Sequence, residues 1–481
     1  MKHRSIPLFA PLAAAALLVG CTSGDRTAAN DAAIAQGALE RGQLTVARQY
    51  IQRALAIRDD ISDYWLIKAH IGLAERDLSG AYDAYQNVLQ LDRANVEALT
   101  SLCQIALAGN VANQAEKFAD QLALINPTDT LPNTVRASAA AARGDKDKAN
   151  HYLDLVLKAR PGDPSALIVK ARMLANDQDY AGAAKVMEQA LATPGDPTAR
   201  LSMLLDYYKR ARDGDGLFRA VERLVQANPK DPNLQLQYAD LLFDRGANDA
   251  ANAAIARAAE GSGNDLGVPA NALNLWLKQG ADALPVERML ANAAGSTLAM
   301  KAAYAQYANE TGHPDVAVRI LDGANLANAP MQQPDAASAA AALGYARALT
   351  GDTAGGNALI AAVLKADPDQ PAALLARGRL RAAAGDRRGA IEDMRNAVSQ
   401  DADNIAARLA LADTLFRGGD AVLAETALRD GMKGAGDDPR LAARLARLQL
   451  AQGRHDAAAA TLADFVKANP LSRRAAGIKA G

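Results

Sequence analysis

Apolar and small residues recur along this chain at helical spacing, interrupted by short polar turns. The stretch Tyr64–Arg93, YWLIKAHIGLAERDLSGAYDAYQNVLQLDR, shows the unit most fully. Trp65 and Ala69 share one face of a first helix, and Ala81, Tyr85 and Val88 share one face of a second. A small residue early in each second helix then returns every 34 positions, at Ala47, Ala81, Ala115, Ala149 and Ala183. Leu217 and Ala251 hold the next two rungs. The first helices keep step with Ala35, Ala69, Cys103, Ala137, Ala171, Leu205 and Ala239, and helix-stopping prolines recur at Pro127, Pro161 and Pro229. Gly42, Gly144 and Gly246 mark the turns. The small slots follow from distance: helices packed about 8–10 Å apart leave room for little more than a methyl group where they cross. Leu205 and Leu217 break that rule within one unit, and a mutual compensation is expected there.

The frame slips once. Residues 262–297 hold two helical patterns, with Trp276 and Leu277, but no clean rungs. The pattern recovers at Ala305, Gly312, Ala317 and Ala324, and an Asn-, Pro- and Gln-rich loop follows. A second ladder then runs through Gly356, Ala390, Ala424 and Ala458, with first-helix slots Gly344, Gly378, Ala412 and Ala446. Its turns fall at Gly351, Gly385, Gly419 and Gly453. The expected organisation is therefore a first array over 31–261, a degenerate helical unit over 262–297 and a second array over 298–470. A basic tail over 471–481 ends the chain, and the count is about thirteen units. One unit cannot bury its own apolar face, so stability must come from stacking on neighbours. With little chain after Pro470, the last unit is expected to expose a face bearing Phe465.

A 34-residue helix–turn–helix period resembles the tetratricopeptide repeat (TPR) family. The resemblance implies an all-α, right-handed superhelical solenoid of antiparallel helix pairs. In that family the first helices line a concave side, facing inward at the second, fifth, ninth and twelfth positions of each unit. Carried over, the ninth positions are Gln36, His70, Gln104, Ser138, Arg172, Asp206, Asp240, Gln306, Tyr345, Arg379, Asp413 and Arg447. The twelfth positions include Leu39, Leu73, Leu107, Phe243, Phe416 and Leu450. A polar stripe beside an apolar one suits an extended peptide or a partner helix. The alternative is a merely solvated face. The Lys and Asn pattern by which some members clamp a terminal carboxylate is absent.

At the N-terminus, Lys2, His3 and Arg4 precede an apolar run from Ile6 to Val19, the layout of a secretory signal. The run is shorter than the ~20 apolar residues a spanning helix needs. Leu18-Val19-Gly20-Cys21 resembles the lipobox of bacterial lipoproteins. The resemblance implies cleavage of residues 1–20 and acylation of Cys21, palmitate among the chains. With Thr22 following Cys21, it also implies the outer membrane, facing the periplasm. Residues 21–30 would form a polar tether.

Among the 481 residues, half are hydrophobic but only 4% aromatic, so the core is one of Ala and Leu. The formal net charge is −1, and removal of Lys2 and Arg4 with a signal leaves −3. No basic face points to nucleic acid. Cys103 sits in a small slot and reads as a buried hydrophobe. The histidines beyond the signal, His70, His151, His313 and His455, have no second ligand at helical spacing, so no metal is expected. Asp213-Gly214-Asp215-Gly216 begins like a calcium loop, but Leu217 stands at the next ligand place. Asn309-Glu310-Thr311 matches a glycosylation sequon by chance. No catalytic constellation and no cofactor motif emerges, which argues against an enzyme.

Together these readings describe a lipid-anchored TPR scaffold binding envelope proteins. It resembles outer-membrane lipoproteins that assist exopolysaccharide export, pili or secretion systems. The alternative is direct binding of polysaccharide or peptidoglycan strands, for which Tyr345, Phe243 and Phe416 are widely dispersed.

Overall fold

A computed structural model describes residues 23–109, 111–195, 197–261, 266–434 and 438–472. Residues 1–20, Cys21 and most of the basic tail lie outside these. The described residues form 26 α-helices and no strand, in two compact units divided between Pro194 and Gly195.

The first unit has five helix pairs. They are α1 (Ser23–Glu40) with α2 (Leu44–Ile57), α3 (Ser62–Ala74) with α4 (Leu78–Leu91), and α5 (Val96–Ala108) with α6 (Ala112–Ile125). α7 (Leu131–Ala142) with α8 (Lys146–Ala159) and α9 (Pro164–Asn176) with α10 (Tyr180–Leu191) complete it. The second unit has sixteen helices. It begins with α11 (Thr198–Ala211), α12 (Gly214–Ala227), α13 (Pro232–Asp244), α14 (Asn248–Gly261), α15 (Gly267–Gln279) and α16 (Val286–Ala294). α17 (Leu298–Glu310), α18 (Pro314–Leu321), α19 (Pro334–Leu349), α20 (Thr353–Ala366), α21 (Pro371–Ala383) and α22 (Arg387–Gln400) follow. α23 (Ile405–Arg417), α24 (Ala421–Gly434), α25 (Pro439–Ala451) and α26 (His455–Ala468) close it. These sixteen are paired in order, except that the short α16 packs on α17 and α18. The 26 helices fit the thirteen units expected.

The turn inside each pair has a repeated chemistry. A residue with positive φ ends the first helix, at Gly42, Arg76, Gly144, Gln178, Arg212, Gly246 and Gly280 in the first frame. An aspartate often follows and caps the second helix: Asp77 accepts from Gly80 N, Asp145 from Lys148 N, and Asp179 from Gly182 N. Such caps satisfy amide groups that the helix itself leaves open. Asp213 does the same for α12, accepting from Gly216 N at 2.8 Å, which explains the calcium-like run as a turn.

The small slots are buried as expected. Ala47, Ala69, Ala81, Ala115, Cys103, Ala137 and Ala149 are all fully inaccessible. Burial pushes the Cys103 thiol up to about 12, in keeping with a packing role. In the unit where leucines take the slots, the close approach moves by one residue. A Cβ at Gly216 would lie 2.4 Å from the Tyr208 ring, while Leu217 is buried and Leu205 half-buried. Backbone meets backbone closely between α19 and α20. A Cβ at Gly344 would sit 2.8 Å from the Gly356 oxygen, and one at Gly356 would sit 2.4 Å from the Gly344 oxygen.

The slipped stretch keeps its first helix in frame. Gly280 lies 34 residues after Gly246, with φ of 93°, so α15 ends in frame, but a 3-10 turn over Ala281–Ala283 then delays α16. The irregularity lies in two shortened second helices, α16 with nine residues and α18 with eight. Elsewhere second helices run mostly to 14 residues. Trp276 fills the space: its indole donates to Asn252 Oδ1 at 2.8 Å and its ring stacks on Tyr304 at 4.9 Å. The Tyr307 hydroxyl donates toward the carbonyls of Gly280 and Ala281, at 2.6 and 3.0 Å. α19, rich in alanine on every side, is buried on nearly every face, as an all-round apolar helix must be.

Two expectations are corrected. The residues read as a tether are helical from Ser23 onward, because Ala28 and Ala32 face inward and extend the packing of α1 by two turns. Phe465 is buried, packing with Ala442 and the half-buried Met432, so it leaves no exposed aromatic face. Beyond it, Ser472 Oγ donates to Asp244 Oδ1 at 2.8 Å, and the Leu471 carbonyl oxygen would lie 3.5 Å from a Cβ at Gly214. The end of the second unit thus meets its own early helices α12 and α13.

Gly356→Val should lower the thermal midpoint, with a loss of about 1–3 kcal/mol from overpacking. Ala358→Val, on the exposed side of the same helix, should stay near wild type when melted in parallel.

Candidate functional site

In each unit, successive first helices touch one another as well as their own partners: α1 with α3, α5 with α7 and α7 with α9 in the first unit. In the second, the contacts run from α13 through α15, α17, α19, α21 and α23 to α25. Side chains at the predicted inward positions therefore meet side chains of neighbouring repeats.

Several of the predicted site residues are engaged in this way. His70 on α3 pairs with Glu97 on α5, and this bond holds the Glu97 carboxyl below its ordinary range. Asp240 on α13 meets Lys278 on α15 at 3.4 Å, and Asp413 on α23 pairs with Arg444 on α25. Asp206 instead pairs along its own helix with Arg210 at 2.9 Å, and Gln36 donates to Glu40 at 3.0 Å. Gln104, Arg172 and Arg447 are exposed, Ser138 and Phe416 half-buried. Phe243 departs from the expectation of a groove residue. It is 3% exposed, part of the large core that runs from α13 into α15 and beyond. Leu39, Leu107 and Leu450 are half-buried, and Leu73 is exposed.

One cavity brings predicted residues together. It lies in the second unit, has a volume of about 450 Å³, and is lined by α15, α17, α19, α21 and the start of α23. Its size falls within the usual range for ligand pockets, about 300–1,000 Å³. Alanines at 302, 303, 341, 342, 372 and 376 form much of the wall, with Leu273, Leu277 and Leu375 as larger apolar surfaces. Gln306, Tyr345 and Arg379 all line it. Their polar surroundings include Asn309, Glu310, Ser338 and Gln370.

The centre of this wall is an ion pair across two repeats. The Arg379 guanidinium forks onto both oxygens of Glu310, the Nη2–Oε2 bond measuring 2.9 Å. It also lies 5.7 Å from the centre of the Tyr345 ring. Burial works against the charge on Arg379, yet Glu310 and Tyr345 outweigh it, and the net direction is upward. Burial likewise raises the Tyr345 phenol, which stays protonated at neutral pH. Asn309 donates from Nδ2 to the Ala342 carbonyl at 3.0 Å, which fixes the orientation of its amide. Its Oδ1 is buried and has no partner among the described residues.

Glu310, Asn309, Ser338 and Gln370 were not among the expected groove residues. Glu310 and Asn309 fall in the sequon-like triplet, one turn beyond Gln306, and opposite charge at the end of α17 and within α21 is the signal that would have joined Glu310 to Arg379.

Paired helices stacked first helix on first helix define a helix-pair repeat protein. Family models described as tetratricopeptide repeat match residues 72–139 and 381–443, and others of the same description match 134–197 and 443–481. Together these stretches make up just under half of the chain, and over them it is similar to tetratricopeptide repeats. No curated protein matches the chain in sequence. Solved structures that align with part of it include PilF of Pseudomonas aeruginosa, 17% identical over 43% of this chain and 95% of that one, with a TM-score of 0.33. PilW, a widely conserved type IV pilus biogenesis factor, aligns at 17% identity over 43% and 96%, with a TM-score of 0.35. YrrB, a TPR protein with an unusual peptide-binding site, aligns at 16% over 38% and 92%, with a TM-score of 0.31.

Glu310→Gln should cost about 2 kcal/mol, since a mostly buried guanidinium loses its charged acceptor, and thermal unfolding will report it. Because the Glu97 pKa is depressed, its contribution is present above the ordinary glutamate value of about 4.3 and is lost as pH falls through the folded value. The melting difference between wild type and Glu97→Gln should therefore shrink as pH is lowered from about 5 to 3.

Proposed function

We propose that this protein is a lipid-anchored scaffold of the bacterial envelope that binds a protein partner through the first-helix face of its second unit. Acylated Cys21 holds it to the outer membrane, facing the periplasm. There it serves assembly of an export, exopolysaccharide, pilus or secretion machine. The observation that carries the binding role is the cavity between α15 and α23, where convergent polar groups stand among apolar walls. The basic start, the apolar run and Leu18-Val19-Gly20-Cys21 support the anchor and the location. An extended peptide or a helix end suits such a site, in which buried apolar area supplies affinity and a few fixed polar groups supply register.

The test has two arms. A photocrosslinking residue placed at Leu375 in living cells should capture one dominant envelope protein, whereas the same residue at Leu155, on an exposed surface of the first unit, should not. Equal, scattered capture from both positions would remove the binding role. Cys21→Ser should move the protein from the membrane fraction to the soluble periplasmic fraction, and retention in the membrane would remove the lipid anchor.

A further inference from the structure

The charges lining the cavity are uneven. Glu310 and Arg379 neutralise each other, which leaves Asp335, Asp401 and Asp403. Among the described residues, no lysine, arginine or histidine is placed to form an ion pair with these three. Asp335, in the first turn of α19, accepts from Ala336 N at 2.8 Å, and Asp401 accepts from Asp403 N at 3.2 Å. Both bonds leave the carboxylate charge in place.

Three helix N-termini, of α19, α21 and α23, reach the same rim, and each contributes about half a positive charge. Arg408 donates from Nε to the Ala402 carbonyl at 2.9 Å, between Asp401 and Asp403, and its charge added to three half-charges still falls short of three carboxylates, so the rim remains negative. The buried oxygen of Asn309 adds a second, independent requirement. Its amide nitrogen is spent on Ala342, so Oδ1 calls for a donor from whatever occupies the cavity. Lysine and arginine heads offer donors and no acceptor, and their stems lie well along apolar walls. Leu273, Leu277 and Leu375 offer such walls.

We infer that the cavity takes a cationic segment of the partner, an extended peptide presenting a lysine or arginine beside apolar residues. This inference rests on the reading of the cavity as the partner-binding site and adds the charge of what enters it. The acidic rim steers the segment, Asn309 Oδ1 and the rim carboxylates accept its hydrogen bonds, and the Arg379–Glu310 pair stays closed as part of the wall. Acidic and neutral segments are disfavoured because each would leave the rim carboxylates uncompensated.

The experiment is selection of random dodecapeptides on the full chain purified in detergent, followed by affinity measurement against three proteins. These are wild type, the variant D335N/D401N/D403N, and Ala270→Trp, which projects a bulky group into the cavity from its exposed edge. Circular dichroism confirms that each variant keeps wild-type helix content. The expected result is enrichment of peptides with lysine or arginine next to apolar residues. Their affinity should fall at least tenfold in both variants and should weaken with added salt. Enriched peptides that respond to Ala270→Trp but are neutral or acidic would overturn the cationic assignment and leave the partner site standing. Basic peptides indifferent to the three aspartate changes would overturn it too. If no peptide responds to Ala270→Trp, both this inference and the binding role of the cavity fall.

Discussion

Everything in this chain depends on how closely two helices can cross. Alanine or glycine at the crossing sets the spacing within a pair, and the spacing within a pair sets how the next pair stacks. Gly344 and Gly356 carry this furthest, because each backbone occupies the space that the other's side chain would need. α19 packs closely through its own small residues, and it forms the middle of the cavity wall. Packing that tight makes a rigid platform. A rigid platform can hold a few polar groups in register without ordering loops to do so.

The polar groups on that platform divide into two uses. His70, Asp240 and Asp413 join one repeat to the next, so charge that a sequence pattern assigns to a ligand is engaged by neighbouring repeats. Ion pairs of this kind, partly exposed, contribute little individually to stability. Their geometric effect is larger: they fix which turn of one first helix faces which turn of the next. Where the second helices shorten, at α16 and α18, the first helices enclose a cavity with unspent hydrogen-bonding capacity.

Much of this architecture is legible in the amino-acid order. A strict 34-residue period exposes the slots, the turns and the number of pairs, because each depends on a local backbone or steric requirement. The same logic extends one rung further than the slot residues suggest. Gly280 keeps the turn position although the helix after it is short and displaced. What could not be read locally is what covers a given position. Phe243 and Phe416 occupy equivalent places, yet one is buried in the large core of the second unit and the other is half-exposed. Glu310 and Arg379 are 69 residues apart, and the irregular steps between them hide their facing positions. The cavity belongs to that same irregular region, so a strict period could indicate its helices but not its shape.

The meeting of Ser472 with Asp244 changes how the second unit must behave as a mechanical object. A stack of repeats held only by nearest neighbours can nucleate anywhere and can also fray from either end. Here Ser472 is bonded to a helix 228 positions earlier, so the terminal pair is held at a second point. Such a clasp cannot form until the intervening pairs stand, which makes it a late event in folding. Once formed, it turns a spring that would lengthen under load into one that first has to be unhooked.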